Sequence, residues 1–107
     1  MSGSSGGGGG GYSYQAPSCE LLKFSILVSS PQPAGVALLT VGDVLDIDVT
    51  QMGAQVVVRV LKGGTAVGGL AGPDATKLRN CMDEGHAYKA TVLSLNGGQV
   101  RVEVTLR

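Results

Sequence analysis

Tryptophan is absent from this 107-residue chain, and only one phenylalanine and three tyrosines are present. Tyr12 and Tyr14 fall in the first eighteen residues, which leaves Phe24 and Tyr88 as the aromatics of the rest. A nucleic-acid surface built on stacked aromatics has little to draw on here. Charge is sparse as well: charged residues are 15% of the chain and the formal net charge is zero. Bulk attraction to nucleic acid or to an anionic membrane is therefore not implied. No apolar run approaches the ~20 residues that a membrane helix needs. No charged start leads into an apolar stretch, so no export signal is visible and a cytoplasmic location is expected.

Cysteine and histidine are scarce too, with Cys19 and Cys81 far apart and His86 alone. A zinc site needs about four clustered ligands, and no Cys-x-x-Cys is present, so neither metal nor cofactor is expected. Without an export signal both thiols read as reduced, each a small buried apolar residue. Nothing in the sequence supports a Cys19–Cys81 bridge.

What is present divides into two parts. Residues 1–18 are rich in glycine and serine. Such a composition buries too little apolar surface to offset ordering entropy, so a flexible tail or spacer is expected. Residues 19–107 form the expected domain, small for one hydrophobic core but able to fold alone.

Residues 20–29 place Leu22, Phe24, Ile26 and Val28 at every second position, the period of a strand with one buried face. Pro31 and Pro33 end it. Residues 36–41 are a shorter apolar run. Residues 44–50 alternate Leu45, Ile47 and Val49 with Asp46 and Asp48, and residues 55–62 are rich in valine. Gly63 and Gly64 suit a hairpin turn into a short strand over 65–70. Residues 73–84 read as the one helix, opened by Pro73, with Ala75, Leu78 and Met82 on an apolar face and Cys81 at its border. Gly85 is placed to stop it. Residues 87–95 and 99–106 form the clearest hairpin, around Asn96-Gly97-Gly98. The chain is thus expected to be mainly β: a small barrel of about six strands, with the helix plugging one open end.

Ala66-Val67-Gly68-Gly69-Leu70, a helix opened by proline, then Gly85 and Tyr88-Lys89-Ala90-Thr91-Val92 resemble the second half of a HIRAN domain. The resemblance covers residues 55–106. It implies a small barrel related to OB and SH3-like folds, and binding to DNA, in some members to a 3′ single-strand end. The sequence departs from the family where that activity lives. Residues 60–65 contain no asparagine, proline or aspartate, Gly69 stands where a polar or aromatic residue is common, and no early aromatic pair occurs between residues 19 and 41. The resemblance thus implies the fold without the DNA-end site.

Charge placement suggests where a ligand would bind. Every basic side chain except Lys23 lies after residue 50. Arg59, Lys62, Lys77, Arg79, Lys89 and Arg101 could hold phosphates if they share a face; otherwise they are a solvated surface. Gly63, Gly64, Gly68, Gly69 and Gly72 lack a Gly-Lys-Ser/Thr ending and read as turns. Asp46 and Asp48 read as a solvent face, without a calcium-loop pattern. His86 follows the helix end, where a cation complements the dipole. No nucleophile signature accompanies it, so an enzyme is not expected. Two readings stand: a HIRAN-like module binding DNA through the basic face, or an adaptor domain of a larger bacterial-type assembly, with an exposed edge over 20–29 accepting a partner strand.

Overall fold

Alternating apolar side chains build six strands: β1 (Phe24–Leu27), β2 (Val44–Met52), β3 (Gln55–Lys62), β4 (Thr65–Leu70), β5 (Tyr88–Asn96) and β6 (Gln99–Leu106). The structure, a computed structural model, describes residues 18–107. The expected tail, with Tyr12 and Tyr14, lies outside the described residues but for Ser18. All six strands join one antiparallel sheet in the order β1-β6-β5-β2-β3-β4. Two hairpins make β2-β3-β4 a meander, and β5-β6 is a third hairpin. Gly97 and Gly98 both take positive φ in its turn, a conformation that glycine adopts without a Cβ clash. The two units meet where Val44–Asp46 pairs with Lys89–Thr91.

The inward set is largely the one the alternation gives. Leu45, Val60, Tyr88, Ala90, Val92, Val100, Val102 and Val104 are buried in one cluster. Leu22 and Val28 join it, while Phe24 and Ile26 pack against it half-buried. The strand expected over 20–29 is shorter than its pattern. A 3-10 turn, Cys19–Leu21, stands just before β1.

The sheet is not a closed barrel. Its end strands, β1 and β4, share no ladder and meet at one bridge pair, Ser29 with Gly69. Ser29 N–H donates to the Gly69 carbonyl at 2.7 Å, and Gly69 N–H returns the bond at 2.9 Å. The register would set β1 opposite residues 71–74, where β4 has already ended and α2 begins. On the other side Ser30 turns with φ 48° and Pro31 has no N–H to donate, and one further bond follows, from Gln32 N–H to the Val67 carbonyl at 2.7 Å. Gly68 makes the approach possible. A Cβ on it would lie 2.8 Å from the Ser29 carbonyl oxygen and closer still to Val28 Cγ1.

Among the described residues two α-helices occur where one was expected. The run at 36–41 is not a strand; α1 (Pro33–Val36) takes its first residue. Proline at the first helical position loses no hydrogen bond, and Gly35 lets this turn lie directly against the Ala66 backbone of β4. The second helix, α2 (Pro73–Asp83), matches the expected one, and Gly85 ends it with φ 103°. Ala75, Leu78 and Cys81 are its buried residues, with Met82 half-buried beside them.

The cysteines correct the sequence reading. Cys19 and Cys81 are not free thiols: they form a disulfide across 62 positions, with Cα atoms 5.5 Å apart. Folding brings the 3-10 turn over the last turn of α2, a proximity that no local pattern encodes.

Leu78 is fully buried in the cluster. Leu78→Ala is expected to lower stability by about 2–5 kcal/mol through the cavity it leaves. Urea unfolding measures this, and an unchanged midpoint would contradict the packing of α2. Gly68→Ala is expected to cost about 1–3 kcal/mol, because Val28 and Ser29 must move to admit the methyl group. Wild-type thermal stability in that variant would mean that the seam between β1 and β4 is looser than described.

Candidate binding groove and cross-linked cluster

The six basic residues singled out in the sequence are spread over different elements. Arg59 and Lys62 lie on β3, Lys77 and Arg79 on α2, Lys89 on β5 and Arg101 on β6. Parity with the buried residues puts Arg59, Lys89 and Arg101 on the outer side of the sheet. Acids interleave with them there. Arg59 faces Asp48 directly across β2-β3 and grips it with two bonds, Nε to Oδ1 at 3.0 Å and Nη2 to Oδ2 at 2.7 Å. The carboxylate raises the Arg59 pKa. Asp46 pairs with Arg107, and Lys23 lies 3.8 Å from Glu103. Lys62 sits 3.1 Å from Asp43. The Asp43 carboxyl is held below its usual range, first by the Thr40 N–H and then by Lys62. Lys77, Arg79, Lys89 and Arg101 make no ion pair among the described residues.

Among the described residues, no aromatic side chain lies fully exposed on the outer surface. Tyr88 is buried, and its hydroxyl donates to the Cys19 carbonyl at 2.5 Å. Burial, with the Glu20 and Glu84 carboxylates nearby, pushes its pKa upward. Phe24 is half-buried against the core.

A groove of about 770 Å³ opens beside α2 where β4 ends. Val56, Val57, Met52 and Leu70 supply apolar walls, and Arg59 and Arg79 supply charge. β4 stops pairing at Leu70, opposite Val58, so residues 55–57 of β3 have no partner strand on that side. Arg79 is half-buried, and its Nε is the one buried side-chain polar atom without a hydrogen-bond partner among the described residues. A guanidinium beside apolar walls, with no acidic partner among the described residues, suits a carboxylate. Sequence reasoning named Arg79 but not this groove, whose walls come from β2, β3, β4, α2 and the chain after β1.

No family model, curated protein or solved structure matches the chain.

A second constellation surrounds the disulfide. His86 Nδ1–H donates to the Cys81 carbonyl at 3.2 Å, so the ring caps the end of α2. Its Nε2 lies 3.3 Å from Glu20 Oε2. Glu20 is held below the ordinary glutamate range, first by its own backbone N–H and then by His86. Among the described residues no helix is long and apolar enough to cross a membrane.

Tyr88 gives a pH signature. Its phenol ionises at higher pH in the folded chain than in the unfolded one. The stability from this shift is full below the ordinary tyrosine pKa of about 10 and is lost as pH rises through the folded value. Tyr88→Phe is expected to cost about 0.5–1.5 kcal/mol at neutral pH by removing the bond to Cys19. Denaturant titrations at neutral and alkaline pH should show a smaller alkaline loss in the variant. Equal losses would mean that Tyr88 is not the group responsible.

Proposed function

We propose that this chain is a non-enzymatic binding module that takes an extended, acidic segment of a protein partner in the groove beside α2. The observation that carries this reading is Arg79 in the lining of an apolar groove, half-buried and without an acidic partner among the described residues. A carboxylate in the groove would pair with the guanidinium of Arg79 through a charge-assisted hydrogen bond. The free side of residues 55–57 offers backbone groups to an added strand, and Val56 and Val57 offer apolar contact. Arg59, engaged by Asp48, contributes shape more than free charge. The adaptor expected from the sequence would have used the edge at 20–29. β1 is indeed an end strand of the sheet, but its free stretch is only four residues long.

Nucleic acid is the second reading, and the HIRAN resemblance motivates it. It rests on Lys77, Arg79, Lys89 and Arg101, which have no acidic partner among the described residues. The neighbouring acids and the buried Tyr88 weigh against it.

The disulfide bears on location. Structural disulfides persist in oxidising compartments, so the bridge favours such a compartment over the cytoplasmic location expected from the sequence.

Display selection of extended peptides on the full chain tests the first reading. Selected peptides should carry a carboxylate next to apolar residues. Arg79→Ala should weaken them by about tenfold or more, with its thermal midpoint close to wild type. Selection without enrichment, or equal affinity for the variant, would remove this reading. Fluorescence anisotropy with single strands and duplexes across a salt series tests the second. Salt-dependent binding that weakens in Lys77→Ala would favour it.

A further inference from the structure

Cys19, Cys81, Glu84 and His86 converge at the end of α2. The ligating atoms of Cys19, Glu84 and His86 all lie within 4.8 Å of one another, and Cys81 Sγ is bonded to Cys19 Sγ. The histidine is already oriented. With Nδ1–H committed to the Cys81 carbonyl, Nε2, now facing Glu20, is the nitrogen left to give to an ion once its proton is released. Such a bond from the non-ligating nitrogen is how proteins hold a histidine for a metal. Glu84 is exposed and His86 half-buried, which gives an ion a path from solvent.

We propose that the reduced chain binds one zinc-type divalent cation through Cys19, Cys81, His86 and Glu84. Disulfide and metal are then alternative states of one place. In the first step a dithiol reductant supplies two electrons and two protons. The Sγ–Sγ bond breaks, two thiols form, and the reductant leaves as its own disulfide. In the second step both thiols release their protons to solvent as the ion binds. Zinc–sulfur bonds of about 2.3 Å in a tetrahedron set the two sulfurs about 3.8 Å apart. Side-chain rotation can supply that separation across a Cα distance of 5.5 Å. Two thiolates, an imidazole and a carboxylate select zinc over magnesium or calcium. Glu20, now 3.3 Å from Nε2, yields that nitrogen to the ion. The inference is independent of the groove, which shares none of these four residues.

The test uses the full chain, reduced with a non-chelating phosphine and titrated with cobalt(II), then with zinc(II) in competition. The expected result is one equivalent of cobalt, a thiolate-to-cobalt charge-transfer band, and displacement by zinc. The oxidised chain should show no such band. Cys81→Ser should remove much of the band, and His86→Ala should weaken binding by about 10–100-fold. Circular dichroism of the reduced chain with and without metal covers the case in which reduction unfolds it, since an ion bound at these four groups should then restore β structure. Absence of the band, wild-type affinity in His86→Ala, or an unfolded chain that metal does not restore would each overturn the proposal.

Discussion

The Cys19–Cys81 bridge is the constraint on which the rest of this small domain depends. It joins the turn before the first strand to the helix that precedes the last hairpin. Closing a loop of that length removes enough freedom from the unfolded chain to favour folding by about 4 kcal/mol in the chain-entropy account. The hydroxyl of Tyr88 reaches the carbonyl of Cys19, so the covalent tie and the sheet are coupled at one residue. A domain with two aromatics beyond its tail has limited apolar volume to bury. A cross-link of this span offsets that shortage.

Much of the fold was legible because its signals are local. The alternation of Val100, Val102 and Val104 selects a face, paired glycines select hairpin turns, and Pro73 with Gly85 brackets a helix. Where several local signals agree, tertiary structure has little to override. The failures are equally physical. Residues 36–41 are apolar without a decisive period, and Pro33 resolves them by starting a helical turn just upstream. The expected barrel closure fails because β4 ends at Leu70 and the chain turns into α2, which leaves β1 nothing to pair with beyond the Ser29–Gly69 bridge. The cysteine pair was misread because bridge formation depends on distance in space, and 62 intervening residues hide that distance.

The candidate site was less legible. Basic residues can be counted in a sequence, but their partners cannot. Asp48 opposite Arg59 is a matter of register, and Asp43 near Lys62 a matter of where one strand begins and another ends. Arg79 stands out only once α2 is laid beside the end of β4, leaving an N–H with nothing to bond. The cluster at His86 has the same character. Its members come from the first and last thirds of the domain, and each looks ordinary in its own neighbourhood.

The single bridge pair between Ser29 and Gly69 sets how the molecule can come apart without unfolding. Losing it, together with the bond from Gln32 N–H to the Val67 carbonyl, breaks three amide–carbonyl bonds and leaves β1 attached to β6. Runaway strand exchange between copies through the N-terminal segment needs β1 to leave its own molecule altogether. While oxidised, the chain has its leading turn riveted to α2, so its outermost strand can lift at one margin yet stays tethered to its own body.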